Sequence, residues 1–347
     1  MLEVLFAPDW RVGCPYQELL ARALRRHAVN VRFIDGYKRI LPLRRLLTAQ
    51  RFDVLHLHWP EAYYPRKSDG FDWFRCARFP FDLAGATKRC VLATTAHNSN
   101  VHNRTNEAFL ESNIRHVHAR ANVVFAHSAL AKQRLIESIA LPEEKVRVIP
   151  HGDLSVVLGE PIPASKARCG LGLDRGKIAV VFGTVEPYKG LKEIIEYWHH
   201  AQPAIKLAII GKPTTPDYGL QILRRIGNAR NIIHRLEWIP DEQLRMWLSA
   251  TDVTIFNYRK VFTSGAANLA RSFGIPIVLP KRLDTVVLDE PTPYVRRFTS
   301  FATDFGEQLT AALAVQSDFA AAASWREACN WDRVACLTAD GYRYALG

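Results

Sequence analysis

Between Val180 and Leu191 the chain reads VVFGTVEPYKGL. An apolar run suited to a β-strand ends on Gly183, a short loop follows, and Lys189-Gly190 opens a stretch with helical spacing. This places an ammonium group and free backbone N–H groups beside the carboxyl end of a strand, where open α/β sheets hold phosphorylated ligands. A fixed cation there would stabilise the negative charge that grows on a departing diphosphate. Glu186 stands in the same loop, placed to reach a ligand hydroxyl or to pair with a neighbouring basic side chain. Thr263-Ser264-Gly265 reads as the start of a further helix. The Ser264 hydroxyl is an ordinary N-cap, and with the free N–H groups there it is also a second anion site. Arg259 and Lys260, just upstream, add charge to it.

A second group of residues is suited to moving protons. Asp9-Trp10-Arg11-Val12-Gly13 follows the first strand-like run. Gly13 lets the backbone approach a ligand, and Asp9 is a candidate base. HLHWPE (His56–Glu61), TAHN (Thr95–Asn98), His127-Ser128 and IPHG (Ile149–Gly152) each follow or close another apolar run. Histidine and carboxylate side chains are the usual proton acceptors near neutral pH. Among His58, Glu61, His97, His127, His151 and Asp9, the ranking for a base puts Glu61 and Asp9 ahead of His97. The histidines are scattered, and the six cysteines (Cys14, Cys76, Cys90, Cys169, Cys329, Cys336) form no CxxC pair, so no metal site is expected. Reduced thiols in a cytosolic protein are the reading for all six.

The chain has 347 residues, enough for two domains. Its net charge of +12 is uneven. Residues 1–150 carry 23 Lys/Arg against 14 Asp/Glu, and residues 151–347 carry 23 against 20. The basic half is expected to meet something anionic, such as a membrane surface or a lipid phosphate. Nucleic acid is not expected, because no helix-turn-helix, RNP or zinc-finger pattern is present. YKRILPLRRLL (Tyr37–Leu47) and FDWFRCARFPF (Phe71–Phe81) mix cations with apolar and aromatic residues, and both suit an anionic interface as well as an ordinary core with snorkelling arginines. No apolar run approaches the roughly 20 residues of a membrane span, and Met1–Phe6 runs straight into a strand-like segment, so no secretory signal is expected.

Strand-like and helix-like runs alternate, the pattern of parallel sheets built from βαβ units. Strands are expected at Leu2–Ala7, Val29–Ile34, Val54–Leu57, Val91–Thr95, Val123–Ala126 and Val146–Ile149, then at Ile178–Phe182, Lys206–Ile210, Val253–Phe256 and Ile275–Leu279. Helical spacing covers Tyr16–His27, Glu107–Ala119, Ala129–Ile139, Leu191–His200, Tyr218–Gly227, Asp241–Ser249 and Gly265–Phe273. His151–Gly176, with Pro161, Pro163 and several glycines, reads as an interdomain linker. Ser324–Leu346 reads as a helical, aromatic tail.

As an ordered series these motifs, with PYKG and NYRKVFTSGAANLARSFGIP (Asn257–Pro276), resemble those of bacterial family-4-like GT-B glycosyltransferases. The nearest branch includes the GDP-mannose-dependent β-mannosyltransferases of exopolysaccharide assembly. The resemblance covers nearly the whole chain. It implies an α/β GT-B fold: two Rossmann-like domains facing a central cleft. Residues 1–155 would bind the acceptor and residues 170–324 the nucleotide-sugar, with residues 325–347 packing back on the first domain. The implied enzyme is a hexosyltransferase that moves a hexose, mannose favoured, from a nucleotide-sugar, GDP-mannose favoured, to a hydroxyl of a glycan or lipid-linked oligosaccharide, with inversion. The donor is a co-substrate, and no other cofactor or metal is implied. Donor contacts would come from Gly13, His127, His151, Gly183, Thr184, Glu186, Lys189, Tyr258, Arg259, Ser264 and Gly265. Acceptor contacts would come from Trp10, Tyr16, His58 and Trp59, and catalysis from Glu61, Asp9 or His97. The implied location is cytoplasmic, peripheral on the inner face of the cytoplasmic membrane. Two departures matter. The glutamate pair usual in the family is replaced by Val261 and Leu269, and the usual arginine of the first phosphate loop by Thr184, which argues against the family's retaining mechanism. A UDP-sugar transferase of the same fold and a non-catalytic nucleotide- or glycan-binding relative are the alternatives. A Rossmann oxidoreductase is disfavoured, because the first βα turn lacks GxGxxG.

Overall fold

The computed structural model describes residues 1–12, 14–34, 36, 40–64, 73–97, 107–259, 261–283, 294–315 and 319–347. Two compact units result, one of Met1–Gly152 with Ala328–Gly347 and one of Asp153–Glu327. Each is built on a six-stranded parallel sheet.

The first sheet comprises β1 (Leu2–Ala7), β2 (Val29–Phe33), β3 (Val54–His58), β4 (Val91–Thr95), β5 (Val123–Ala126) and β6 (Val146–Val148), in the order β2-β1-β3-β4-β5-β6. Its helices are α1 (Tyr16–Leu24), α2 (Pro42–Ala49), α3 (Trp73–Ala86), α4 (Glu107–Arg120) and α5 (Ala129–Ile139). All of β3 and β5 is buried, as expected for strands covered on both faces. Two helix starts show local sequence at work. Ser128 caps α5 through its Oγ, which accepts from Ala131 N at 3.0 Å. Leu41, before α2, has no capping side chain; Asp82 of α3 supplies one, its carboxylate accepting from Leu43 N and Arg44 N, both at 2.9 Å.

The second unit begins with α6 (Ser155–Leu158) and α7 (Ala164–Leu171). There follow β7 (Ile178–Phe182), α8 (Leu191–Ala201), β8 (Lys206–Ile210), α9 (Pro216–Ile226), β9 (Ile232–Arg235), α10 (Asp241–Ala250), β10 (Val253–Ile255), α11 (Gly265–Ser272), β11 (Ile277–Pro280), β12 (Val295–Phe298), α12 (Phe305–Ala314) and α13 (Phe319–Ala328). The strand order is β12-β11-β10-β7-β8-β9, the doubly wound order of a Rossmann sheet. Side chains alternate along β7: Ile178, Val180 and Phe182 join one core, Ala179 and Val181 the other. Helix α14 (Trp331–Leu346), capped by Asn330 Oδ1 accepting from Arg333 N at 2.8 Å, belongs to the first unit. It buries Val334, Ala335, Ala339 and Tyr342 beside β1 and β5 residues.

Three expectations need correction. His151–Gly176 is not a linker. It holds α6 and α7, and Arg168 of α7 donates to Ala250 O at 3.2 Å and pairs with Asp252. Proline there sets helix starts, with Pro163 immediately before α7. Strands β9 and β12 were not anticipated; they are four residues long at the sheet margins and read IIHR and VRRF, too polar to stand out. The strand expected from Ile275 starts at Ile277, because Gly274 has a positive φ of 68° and Pro276 has no N–H to give. The helix expected over Tyr16–His27 is α-helical only to Leu24 and ends in a 3₁₀ turn, Arg25–His27, and the tail expected as Ser324–Leu346 is two helices, α13 and α14; the other expected boundaries move by only one or two residues.

Candidate functional sites at the two switch points

In each sheet the chain reverses its direction of travel once. In the second unit β7, β8 and β9 run one way and β10, β11 and β12 the other, so the switch point lies between β7 and β10. The loops after these strands are where a doubly wound sheet binds ligands. They are stitched together here. Asn257, buried at the end of β10, donates from Nδ2 to Gly190 O at 2.9 Å, and Arg259 N donates to Tyr188 O at 2.8 Å. Arg282, just after β11, donates to Asn257 Oδ1 at 2.8 Å. Gly190 has φ 62°, and a Cβ there would lie 2.5 Å from Asn257 O, so only glycine fits.

Lys189 is 5% exposed, and its Nζ donates to Phe182 O, the last carbonyl of β7, at 3.0 Å. Burial pulls its pKa down to about 8, with Glu186 acting weakly in the other direction. Exposed Gly183 lies directly over this ammonium: a Cβ would sit 3.0 Å from Nζ. Thr184 is exposed and Glu186 half-buried. Across the switch, Ser264 caps α11, its Oγ accepting from Ala267 N at 3.2 Å, and it also shares a side-chain hydrogen bond with buried Tyr258. Gly265 opens that helix. Arg259 is exposed and bound to Glu193 Oε1 at 3.1 Å, so it is tied to α8 rather than to Ser264. Val261 and Leu269 pack into the apolar core of the unit, which explains why no carboxylate stands there. Lys260 lies outside the described residues.

The first unit switches between β1 and β3. The loop after β1 is fixed by Gln17, whose Oε1 accepts from Trp10 N at 2.8 Å and whose Nε2 donates to Pro8 O at 2.9 Å. Asp9 is held by Arg11, with Nε at 3.0 Å and Nη2 at 2.8 Å, and these hydrogen bonds keep its pKa low. A carboxylate gripped in this way is a poor base. Glu61 is half-buried on the 3₁₀ turn Pro60–Tyr63 that follows β3. Trp59, before that turn, has φ 45°, an uncommon conformation for an aromatic residue. Gly13 and Asn98 lie outside the described residues.

Along the carboxyl edge of this sheet, Trp59, His97, His127 and His151 stand ring to ring, at 3.9, 5.0 and 4.9 Å between successive centroids. Tyr16 of α1 meets each of these rings edge-on. His58 Nδ1 is 3.1 Å from His97 Nε2, His97 Nδ1 is 3.3 Å from His127 Nε2, and His127 Nδ1 is 3.3 Å from Ile149 O. Burial is the largest cause lowering all of these pKa values, His58 to about 3 and His151 to about 4. The rings are therefore neutral at neutral pH. Both nitrogens of His97 are engaged by neighbouring imidazoles, so in this arrangement it offers no free lone pair as a base. Behind it, His56 is bonded to Tyr342 OH at 2.6 Å and Thr95 Oγ1 at 2.7 Å, which anchors α14. Among the described residues no group of three or more His, Cys, Asp or Glu side chains is arranged to hold a metal ion.

Residues 4–153 match the model described as Glycosyltransferase Family 4. Over 114 residues the chain is 26% identical to a GDP-mannose:glycolipid 4-beta-D-mannosyltransferase of Xanthomonas campestris pv. campestris; the match spans 32% of this chain and 33% of that protein. The chain thus aligns with about a third of the length of this curated relative. Among solved structures, Anabaena HepE in complex with UDP and glucose superposes with a TM-score of 0.70 at 16% identity, covering 98% of this chain and 99% of that one. Sucrose-phosphate synthase from Thermosynechococcus elongatus gives 0.71 at 14% identity, covering 98% of each. The fold is GT-B.

In this GT-B chain, sequence reasoning placed Gly183, Thr184, Glu186, Lys189, Tyr258, Ser264 and Gly265 in loops that do meet at one switch point. It placed Asp9, Trp10, Tyr16, His58, Trp59 and Glu61 around the other. It overlooked Asn257 and Arg282, which join the second unit's loops. Asn257 opens the very motif that was singled out, and Arg282 carried a weaker signal, a basic residue just beyond a strand end. Trp331, an aromatic residue of the helical tail, lies with its ring against Gly152 and Tyr16 in the first unit. None of the helices described is long and apolar enough to cross a membrane.

Proposed function

We propose that this protein is a nucleotide-sugar-dependent hexosyltransferase. The observation that carries the reading is the second unit's switch point. There a buried ammonium under a side-chain-free glycine, a capped helix N-terminus and two cross-linked loops form a surface suited to a diphosphate. The match of residues 4–153 to Glycosyltransferase Family 4 supports the same class. GDP-mannose is the favoured donor and a lipid-linked glycan hydroxyl the favoured acceptor, in line with the curated relative's name. A UDP-sugar is the second reading, because the HepE structures hold UDP and UDP-glucose. The second unit binds the donor and the first binds the acceptor. The acceptor hydroxyl displaces the nucleoside diphosphate directly, with inversion. Lys189, Ser264 and the N–H groups near Gly265 stabilise the leaving group. No metal or further cofactor takes part.

An anionic membrane surface is part of the proposal. Phe74 and Phe81 of α3 are 63% and 60% exposed, Ile40 is 62% exposed, and the Arg44 guanidinium lies 5.6 Å from the Phe81 ring. Aromatic groups beside cations suit the headgroup region on the cytoplasmic side.

The test is a thermal-shift screen against GDP, UDP, ADP and their sugar conjugates. A ligand that binds only the folded state raises the melting temperature by mass action. A selective rise with GDP and GDP-mannose is expected. A selective rise with UDP would replace the donor, and no rise with any nucleotide would refute the transferase reading.

A further inference from the structure

His58, His97 and His127 come from the ends of three neighbouring strands, β3, β4 and β5, and their ring nitrogens meet in series. The series is closed at one end by a backbone carbonyl, Ile149 O, which can only accept. His127 must therefore carry its proton on Nδ1. A neutral imidazole then has a bare Nε2, which accepts from His97 Nδ1–H. His97 in turn has a bare Nε2, which accepts from His58 Nδ1–H. One carbonyl thus sets the tautomer of three rings. The remaining lone pair of the series is on His58 Nε2. That atom is buried and has no hydrogen-bond partner among the described residues. Tyr16, whose ring abuts all three imidazoles, also buries a hydroxyl without a partner among the described residues. An orphaned acceptor and an orphaned hydroxyl in one aromatic cluster call for a hydroxyl-bearing guest.

We propose that His58, His97 and His127 form a one-way proton wire, entered at His58 Nε2 by a hydroxyl and ending on His127. The step balances without any other reagent. A proton from the guest hydroxyl binds His58 Nε2, and His58 passes its Nδ1 proton to His97 Nε2. His97 passes its Nδ1 proton to His127 Nε2. His127 is left as an imidazolium, with its Nδ1–H still on Ile149 O, and the guest is left as an alkoxide or hydroxide equivalent. His127 is the half-buried member, and the Ile149 and Pro150 carbonyls beside it favour its charge, so the charge comes to rest nearest solvent. His97 and His127 are positioning residues here, acting through His58. The wire follows from the first unit's own geometry; its use in sugar transfer rests on the proposed function.

The test reads tautomers directly. In the full chain labelled with ¹⁵N-histidine, long-range proton–nitrogen correlation spectra at neutral pH should show Nδ1–H for all three rings, the reverse of the preference of free imidazole. An Nε2–H form at His58, His97 or His127 overturns the proposal. His127→Phe keeps an aromatic ring but removes the acceptor, so the His97 and His58 signals should move toward Nε2–H. An unmoved His58 would reduce the series to ordinary packing. Should that variant not fold, His97→Phe cuts the series one ring later: His58 should change and His127 should keep Nδ1–H. With transferase activity in hand, His127→Phe should lower kcat on the order of 10²-fold. Loss of nucleotide binding to the wild-type chain would sink the transferase reading and leave the tautomer result standing.

Discussion

Gly190 and Gly172 make a matched pair for testing whether the donor loops are truly locked together. Both are left-handed, at φ 62° and 67°, and both border a helix. An alanine at either position pays for a left-handed backbone, roughly 1–2 kcal/mol, and recovers about 0.4–1 kcal/mol from a stiffer unfolded chain. At Gly172 a Cβ meets nothing within 4 Å, so the account ends there, near 1 kcal/mol. At Gly190 the Cβ would lie 2.4 Å from Asn257 Nδ2 and 2.5 Å from Asn257 O. The side chain cannot simply step aside, because its Oδ1 is bound by Arg282 and it is 2% exposed. Relief of the clash adds roughly 1–3 kcal/mol, and the lost Asn257–Gly190 bond about 1 kcal/mol. For a unit of this size about 1 kcal/mol moves Tm by roughly 2–4 °C. Gly172→Ala should therefore melt about 3 °C lower and Gly190→Ala roughly 10 °C lower. Scanning calorimetry of both variants measures the difference. Nucleotide-induced stabilisation should survive in Gly172→Ala and be lost in Gly190→Ala. Equal shifts, within about 2 °C, would mean that the two loops are not held by Asn257 and that the diphosphate surface is not built as argued.

Lys189→Ala should abolish the nucleotide-induced rise in Tm and lower turnover on the order of 10²-fold or more while the protein stays folded; near-normal turnover would remove Lys189 from the diphosphate site. The same residue sets a pH dependence, because its pKa falls from 10.5 to about 8 in the folded state. The native state holds this proton less tightly than the unfolded chain, so the Lys189 contribution to stability is least below pH 8 and rises between about 8 and 10.5. Nucleotide binding runs the other way, since the anion needs the ammonium. Its stabilising effect should shrink as pH passes 8, and a constant effect up to pH 10 would contradict the assignment. Replacing Arg44, Arg45 and Arg78 by glutamine should weaken sedimentation with phosphatidylserine vesicles by on the order of 10²-fold at low salt, at about 1 kcal/mol per cation; unchanged binding would return α2 and α3 to ordinary core and surface.

Legibility in the sequence followed burial. Strands covered on both faces, such as Val91–Thr95 and Ile178–Phe182, stand out as apolar runs and fall where their pattern puts them. The marginal strands β9 and β12 carry His234, Arg235, Arg296 and Arg297, and polar residues at a sheet edge erase the pattern that betrays a strand. Prolines 161 and 163 suggested a linker because proline ends helices as readily as it begins them; what binds this stretch to its unit is Arg168 reaching Ala250, a contact across 82 residues. Residue type alone ranked Glu61 and Asp9 ahead of His97 as bases. It could not show that Arg11 grips the Asp9 carboxylate or that two neighbouring imidazoles meet both nitrogens of His97. A base is defined by its free lone pair, and the sequence carries no record of which lone pairs are taken.

The two switch points differ in a way that suits a division of labour. The second unit's edge offers a desolvated ammonium under a bare glycine, with helix N–H groups across from it. All of these stabilise negative charge, and a low-dielectric setting strengthens them. The first unit's edge is a row of neutral rings, and Arg11, the nearest cation of its first loop, is already paired with Asp9 and Glu18. Neutral imidazoles do not compete for a diphosphate, and in the proposed wire the charge passes from buried His58 to half-buried His127, where the Ile149 and Pro150 carbonyls favour it. Had the histidines been protonated at rest, the first edge would also attract phosphate and would have no lone pair to offer. Under the proposed function, burial, which lowers their pKa values, would leave the anion to the second unit and the proton to the first.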